Sequence, residues 1–368
     1  ANRLNKDIAR HVKARFCLNE GTHYKYHDEL EYASEAEKWL QMAATESDKL
    51  ITSGRYEIYN TGHPQEDYFN MYRIDDKSDL KEAVLYVDYK TNIREHNMAA
   101  AGREAGCGFS KSFVESFLCS DGLPISLSNK YLGDETMRKE TANRDPRLKQ
   151  LILTNDFPTN VTDDLKDSTF VVNEDEFITQ HCFTGYRPIK GFNPIYSQAL
   201  YMKSSFDGIA YRYAETLLIN AEAKAELNTI TNADLDRTVN QLRDRVGMPH
   251  LTVNVGFTDP KWPDWGYSLS PVLQEIRRER CIELAGEGFR FNDLKRWKAG
   301  KLLNNVLTYV GKRKPDGNLA IVYPNYTNPD LSYQAGKSRT WEDKMYLYPI
   351  PTGELQRNPQ LLPQNPGW

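Results

Sequence analysis

Residues 211–228, with the sequence YRYAETLLINAEAKAELN, constrain the fold more than any other segment of the chain. Their apolar side chains recur at spacings of three and four, which is the repeat of one face of an α-helix. This face consists of Tyr211, Ala214, Leu217, Leu218, Ala221 and Ala225. Because alanine makes up half of the face, a second helix can approach closely. The segment therefore predicts a scaffold of closely packed helices.

Further helices are predicted downstream. Thr231 and Asp234 have the spacing of a capping box, and the helix that they begin is predicted to continue to Val246. Ser270–Pro271 is typical of the N-cap and first position of a third helix. Residues 291–303, FNDLKRWKAGKLL, favour a fourth helix. The C-terminal half of the chain is therefore expected to be built from successive helix pairs.

The spacing of these pairs resembles a helical repeat. Helix pairs of this length, with alanines at close contacts, are typical of tetratricopeptide-like repeats, which have a period of about 34 residues. The first helices of two successive pairs begin near Gly208 and Ser270, farther apart than one repeat. An inserted loop over 248–267 accounts for the difference. The sequence therefore predicts a degenerate tetratricopeptide-like repeat.

A second helical region lies at the start of the chain. Leu4, Ile8, Val12 and Phe16 recur every four residues, and a further helix is predicted over about 34–53. Together they predict an αα-hairpin. The chain begins at Ala1 and shows no signal peptide or lipidation site. Either the natural protein has none, or the sequence is a fragment that lacks its N-terminal part.

Loops dominate the middle of the chain. Gly, Pro, Asn and Asp interrupt short segments there, with strand-like runs at 83–89 and 170–172. Long irregular loops on a helical scaffold usually carry function. We therefore divide the chain into a helix pair, a loop-rich ligand-binding portion, further helix pairs and a C-terminal wrapping segment. Their predicted bounds are 1–56, 57–205, 206–310 and 311–368.

Composition excludes several classes of function. With 47 Lys and Arg against 51 Asp and Glu, the net charge of −4 argues against a nucleic-acid or membrane-surface partner. No apolar run approaches the roughly 18 residues that span a bilayer. Five cysteines without a CxxC pair predict neither a disulfide framework nor a zinc site. The 22 tyrosines and 6 tryptophans suit an amphipathic binding surface, although such residues also fill cores.

Four groups of motifs, in this order, resemble the SusD/RagB family over essentially the whole chain. The most specific is RRERCIELAGEGFRFNDLKRW at 277–297. The others are DGLPIS at 121–126 with NRDPRL at 143–148, the helix at 211–228, and YLYPIPTGELQRNP at 346–359. The resemblance implies a mainly α fold in which tetratricopeptide-like helix pairs form a right-handed superhelical scaffold. A loop-rich ligand-binding portion and a few short strands complete the implied fold.

The resemblance also implies a function. SusD-like proteins are surface-exposed lipoproteins of the Bacteroidota outer membrane that cap a SusC-like TonB-dependent transporter. They capture a nutrient, usually a glycan, and are not enzymes, so we expect neither catalytic residues nor a cofactor. Family chains are usually longer at the N-terminus, which favours the interpretation of Ala1 as the start of a fragment. By itself, the given chain is expected to be soluble.

Two loops combine the residue types that bind carbohydrate, which are flat apolar rings and planar polar groups. The loop at 94–111 precedes DGLPIS, where similar proteins carry part of their ligand site, and the loop at 261–267 joins two predicted helices. Candidates in the first loop are Arg94, His96, Asn97, Arg103 and Phe109. Candidates in the second loop are Trp262, Asp264, Trp265 and Tyr267. A third candidate, 60–72, carries His63, Tyr68 and Tyr72.

Alternative functions stay open at this point. A glycoside hydrolase would need two carboxylates across a cleft, but pairs such as Asp75–Asp76 are expected in any chain this acidic. A tetratricopeptide scaffold that binds a protein partner is the other alternative. His23 and His27 have the spacing of a helical metal pair without a third ligand, so no metal site is predicted. The charges within 277–297 favour structural Arg–carboxylate pairs between helices.

Overall fold

The computed structural model describes residues 3–99, 108–155, 157, 160–161, 167–168, 177–178, 182–321 and 340–368. Its α-helices are α1 Lys6–Tyr26, α2 Ala36–Ile51, α3 Asp67–Tyr72, α4 Lys111–Ser116, α5 Met137–Thr141, α6 Arg147–Leu151, α7 Tyr196–Ala199, α8 Tyr213–Glu226, α9 Asn232–Asp236, α10 Val239–Arg245, α11 Pro271–Glu283, α12 Arg290–Arg296 and α13 Thr352–Arg357. Its strands are β1 Ala83–Val87, β2 Asn160–Val161, β3 Asp167–Ser168, β4 Gly208–Arg212, β5 Val310–Arg313 and β6 Leu319–Ile321. Each strand pairs antiparallel with one other, as β1–β4, β2–β3 and β5–β6.

The first two helices form the predicted hairpin. The side chain of Asn5 caps α1 by accepting hydrogen bonds from the backbone of the first turn. Gly21 lets the helices meet closely, since a Cβ there would lie 2.8 Å from Cγ of Leu40. The predicted stripe is only partly correct. Leu4 lies before the helix and is exposed, and Phe16 is 64% exposed.

Helix α8 is the centre of the scaffold. It packs against α2 on one side and α11 on the other, and it also contacts α1. Ile219 and Ala223 join alanines of α1 and α2 in one cluster, while Leu217 and Ala221 join residues of α9, α10 and α11 in another. The predicted face packs in the second cluster, whereas Ile219 and Ala223, which lie outside the predicted face, form the contacts with α1 and α2.

Two predicted helices are broken in the structure. The capping box at Thr231 is present, but the helix stops at Asp236 and a new one begins at Val239. The hydroxyl of Thr238 donates to the carbonyl of Asp234, a local bond that competes with continuous helix. Likewise, the helix predicted over 291–303 ends at Arg296, and a 3₁₀ turn follows over Gly300–Asn304.

Other local predictions are observed. Ser270 caps α11 through its hydroxyl, with Pro271 in the first turn. The strand-like run at 83–89 forms β1, which pairs with β4 next to the start of α8. The second strand-like run, 170–172, lies outside the described residues. Among the described residues, no helix combines the length and apolar character that crossing a membrane requires.

The predicted Arg–carboxylate pairs are present and buried. Arg277 of α11 bonds Glu226 of α8 at 2.9 Å, and Arg280 bonds Asp293 at 2.9 Å. The largest network centres on Glu283, which is fully buried. Its carboxylate accepts from Arg147 at 3.0 Å, Arg212 at 2.5 Å and Arg245 at 2.6 Å. These ion pairs connect α11 to β4, α6 and α10, so they fix the loop-rich portion on the helical scaffold.

The stability of this scaffold is expected to fall in acid. Burial opposes ionisation of Glu215, but hydrogen bonds from His11 and Arg15 outweigh it and lower its pKa to about 2. A carboxyl with an unfolded pKa near 4.3 then contributes about 3 kcal/mol above pH 5, which is lost as the pH falls toward 2. Urea unfolding from pH 7 to pH 3 should show this loss. Glu215→Gln should be less stable at pH 7 and lose less between pH 5 and pH 3, whereas parallel curves would contradict the assignment.

Candidate ligand-binding site

A cavity of about 910 Å³ lies between α1, β4 and the turn that leads into α12. Its volume is near the upper end of the range of small-molecule pockets, roughly 300–1,000 Å³. Its apolar lining includes Phe16, Leu18, Tyr72, Met98, Phe109 and Phe289. Its polar lining includes Arg15, Lys190, Asp207, Arg280, Glu287, Asn292, Asp293 and Arg296. Flat rings beside planar polar groups are the combination that the chemistry of sugar binding requires.

The first candidate loop borders this cavity. Met98 and Phe109 lie in the two described parts of the loop, and both line the cavity. Phe109 stacks on Phe113 of α4, with 4.4 Å between the ring centroids, and this contact fixes the position of its ring. Arg103, the fourth candidate of this loop, lies outside the described residues. The loop and the cavity therefore belong to one region of the surface.

The other candidates of this loop hold its N-terminal part in place. The ring of His96 packs edge-on against Tyr89 and Phe206, and its Nε2 donates to the carbonyl of Phe206 at 2.9 Å. Its Nδ1 accepts from the backbone N–H of Met98 at 3.1 Å, so the ring is a neutral tautomer. Burial lowers the pKa of His96, in keeping with that form. His96 thus positions Met98 at the cavity rather than lining it.

Arg94 and Asn97 have similar local partners. The guanidinium of Arg94 lies 4.9 Å from the ring centroid of Tyr89. The side-chain oxygen of Asn97 accepts from the backbone N–H of Met202 at 3.0 Å. Neither residue lines the cavity. The described candidates of this loop therefore have two roles. Arg94, His96 and Asn97 hold the base of the loop, and Phe109 lines the cavity.

The second candidate loop is anchored to α11. The indole of Trp262 donates to Glu275 at 2.7 Å, and that of Trp265 donates to Gln274 at 2.6 Å. Trp265 is only 6% exposed and packs edge-on against Trp297. Its ring therefore presents no open face to a ligand, whereas Asp264 is exposed.

A cation lies among the rings of this loop. The guanidinium of Arg277 lies 4.7 Å from the ring centroid of Trp265 and 4.4 Å from that of Trp297. It also donates to the hydroxyl of Tyr267 at 3.1 Å, and Tyr267 stacks on Tyr26 at 4.4 Å. Such contacts are those of a packed interior. Tyr267 and Tyr26 also border a smaller hollow of about 400 Å³, separate from the 910 Å³ cavity.

The charged groups of the large cavity are paired. Arg15 bonds Glu215, Arg296 bonds Glu222, and Arg280 bonds Asp293. Lys190 bonds Glu287 at 2.7 Å, and the same carboxylate accepts from Arg212. Each cation that lines the cavity therefore has a carboxylate partner. The positive charges of the lining are neutralised by these carboxylates, while the groups remain polar.

Two carboxylates of the cavity, Glu287 and Asp293, lack the raised pKa of a general acid. Burial opposes ionisation of Glu287, but Arg212 and Lys190 outweigh it and lower its pKa. Burial is likewise outweighed at Asp293 by Arg280 and Arg296, which lower its pKa. Asp207 accepts backbone N–H groups of Lys77 and Tyr89 at 3.0 and 2.8 Å. A glycosidase acid needs a raised pKa, so Glu287 and Asp293 do not suit that role.

The histidine pair on α1 is a structural contact. His23 and His27 stack at 4.1 Å, and both nitrogens of His27 face oxygen acceptors, Glu29 and the carbonyl of Lys295. Burial, followed by the charge of His27, lowers the pKa of His23 to about 4. Over the described part of the chain, no group of three His, Cys, Asp or Glu side chains could hold a metal ion.

Several cavity residues are not among the sequence-predicted candidates. Phe16 was assigned to the helix stripe, and Glu287, Phe289 and Asn292 to the charged block at 277–297. Tyr72 of the third candidate loop does reach the cavity, where its hydroxyl donates to Glu287 at 3.1 Å. The only feature of Phe16 in the sequence that indicates a ligand site is that an aromatic residue follows Arg15 in a mostly polar helix. That signal does not distinguish a core position from a ligand site.

Comparison with protein families matches residues 45–368 to the SusD family. Among curated proteins, SusD-like protein P2 of Formosa agariphila is 33% identical over 166 residues. These residues are 45% of this chain and 27% of that protein. The aligned part is therefore a small share of that relative.

Solved structures show the same fold. A SusD-like protein of Bacteroides fragilis has a TM-score of 0.68 at 24% identity, over 100% of this chain and 66% of that one. A SusD-like carbohydrate-binding protein of the same species has a TM-score of 0.64 at 22% identity, over 98% of this chain and 66% of the other. This chain thus spans about two thirds of their length. The predicted mainly α, tetratricopeptide-like fold is confirmed.

Proposed function

Because the chain belongs to the SusD family, we propose that it captures a glycan without cleaving it and delivers it to a SusC-like TonB-dependent transporter. The observation that carries this proposal is the position of the first candidate loop, since Met98 and Phe109, one from each of its described parts, line the 910 Å³ cavity. A solved relative named as carbohydrate-binding supports the ligand class. The protein would act as a surface lipoprotein of the outer membrane, as in the family.

Binding and catalysis can be separated in one set of measurements. The protein is screened on a glycan array and by affinity gel electrophoresis, and reducing sugar is assayed with each polysaccharide that retains it. We expect retention by at least one glycan and no release of reducing ends. Product release would indicate a glycoside hydrolase. The absence of glycan binding would overturn the proposal and favour a scaffold for a protein partner.

The two candidate loops can be compared with exposed or partly exposed residues. Phe109→Ala is expected to weaken glycan retention about tenfold, since an aromatic contact contributes roughly 0.5–1.5 kcal/mol. Trp262→Ala with Asp264→Ala is expected to leave retention unchanged, because Trp262 is bonded to Glu275 of α11. Trp265 is left intact, since its burial makes any replacement a test of folding. The reverse result would assign the site to the second loop.

The transporter partner rests on family membership. It can be tested by co-expressing the protein with a SusC-like transporter from the same organism, then purifying through a tag on the transporter. Co-elution is expected. If the tagged transporter is recovered from the membrane fraction but this protein does not elute with it, the partnership is contradicted. Glycan capture would be unaffected by that result.

A further inference from the structure

We propose that the 910 Å³ cavity holds an uncharged end of the captured glycan, with Phe16 as the platform for a sugar ring and Asn292, Glu287 and Arg280 as hydrogen-bonding partners of its hydroxyls. This inference rests on the proposed function, because it names the ligand class and the contacts of the same site. The cavity, rather than the candidate loops alone, then decides which sugar binds.

Phe16 provides the apolar face. It lies on α1 at the cavity wall and is 64% exposed, so most of its ring is open to solvent. Its ring is paired with no other ring within the described residues, while Phe289 lines the same cavity. A sugar ring that lies against Phe16 would remove this apolar surface from water without ordering a flexible side chain.

Two of the polar partners have unused hydrogen-bonding capacity. Asn292 is exposed on α12, and its amide has no partner in the described part of the chain, so it offers two donors and an acceptor. Arg280 is 3% exposed, and its Nη1 has no acceptor among the described residues, although its Nε is bonded to Asp293. A buried guanidinium nitrogen without an acceptor is costly, and a ligand hydroxyl would satisfy it.

Glu287 adds a fixed acceptor. It lies between Gly286 and Gly288, which have φ values of +74° and +83°, so the turn that presents it needs glycine on both sides. Arg212, Lys190 and Tyr72 hold its carboxylate from the protein side, and the side chain keeps 20% exposure. A carboxylate has about four lone-pair sites, so it can still accept from a sugar hydroxyl.

The charge pairing excludes a strongly anionic occupant. Arg15, Lys190, Arg280 and Arg296 are each bonded to a carboxylate. A sulfate or uronate placed in the cavity would have to compete with Glu287 or Asp293, or lie beside them as a like charge. Hydroxyl groups face no such competition, because they can donate to the carboxylates and accept from the free N–H groups. The cavity is therefore suited to uncharged sugar units.

The test uses the double variant Phe16→Ala with Asn292→Ala, because neither side chain takes part in the buried ion pairs. The control is Leu4→Ala with Gln356→Ala, which removes an exposed apolar and an exposed amide side chain that do not line the cavity. Affinity gels contain laminarin, galactomannan, xylan or polygalacturonate. We expect wild type and control to be retained by at least one neutral polysaccharide, and the Phe16/Asn292 variant to bind it at least tenfold more weakly with an unchanged melting temperature.

The possible failures differ from one another. Equal retention of the Phe16/Asn292 variant and wild type would overturn the cavity as the site while leaving glycan capture intact. Retention by polygalacturonate alone would overturn the preference for uncharged sugar. The absence of binding across the whole glycan array would overturn the proposed function itself, and this inference with it.

Discussion

Replacing Glu283 by Ala is expected to lower the free energy of unfolding by about 3–5 kcal/mol, the range for removing one partner of a buried ion pair. Burial opposes ionisation of this carboxyl most strongly, but Arg245, Arg212 and Arg147 outweigh it and hold its pKa far below the usual range. Without the carboxylate, three buried guanidinium groups lose their shared partner. Equilibrium urea unfolding, followed by circular dichroism, measures the loss.

The isosteric Glu283→Gln variant separates charge from shape. It keeps the volume and an acceptor oxygen, and Arg212 and Arg245 still contact Glu82, so we expect a loss of about 3 kcal/mol. The matched control is Glu354→Gln, which breaks an exposed pair with Arg357 and should cost less than about 1 kcal/mol. Equal, small losses for Glu283→Gln and Glu354→Gln would show that the network does not hold the fold together.

The position of Glu283 shows what the sequence could predict. Helical spacing within 277–297 correctly predicts that its charges form buried structural pairs, and the motifs correctly predict the family. The partners of Glu283 could not be predicted, because Arg147, Arg212 and Arg245 come from three segments without a common pattern. Periodicity reports which side of a helix is buried. It does not report which distant segment packs there.

The same limit applies to helix ends and breaks. Thr231, Ser270 and Pro271 carry local signals, since their hydroxyl groups or fixed φ act on the adjacent turn, and the structure contains both caps. The break at Arg237–Thr238 has no such signal in the apolar pattern, which continues across it. The structure instead shows a local bond at the break, from the hydroxyl of Thr238 to the carbonyl of Asp234.

The candidate site could also be predicted only where its residues lie close together in the sequence. The loop at 94–111 combines rings and planar polar groups within one segment, and Met98 and Phe109 of its two described parts line the cavity. Phe16 and Asn292 line the same cavity from opposite ends of the chain, so only tertiary packing brings them together. Trp265 has the right chemistry for a sugar platform, yet the tryptophan and arginine side chains around it bury its ring.

The second large loss of stability is expected for Arg277→Ala, because Arg277 packs against the buried ring of Trp265. This guanidinium is bonded to Glu226 at 2.9 Å and lies near the rings of Tyr26, Trp265, Tyr267 and Trp297. Removing it leaves a buried carboxylate with fewer partners and a void among the rings. We expect a loss of about 3–5 kcal/mol.

Arg277→Lys tests whether the flat shape of the cation matters as well as its charge. Lysine keeps the charge for Glu226, but it has no planar group to place against the rings of Trp265 and Trp297 or to donate in a fork. We therefore expect Arg277→Lys to lose about 2 kcal/mol, between wild type and Arg277→Ala. Tryptophan fluorescence should report solvent entry around Trp265 and Trp297 in both variants, whereas Arg357→Ala on the surface should change neither property. A fully stable Arg277→Lys would mean that charge alone holds α8, α11 and the 261–267 loop together.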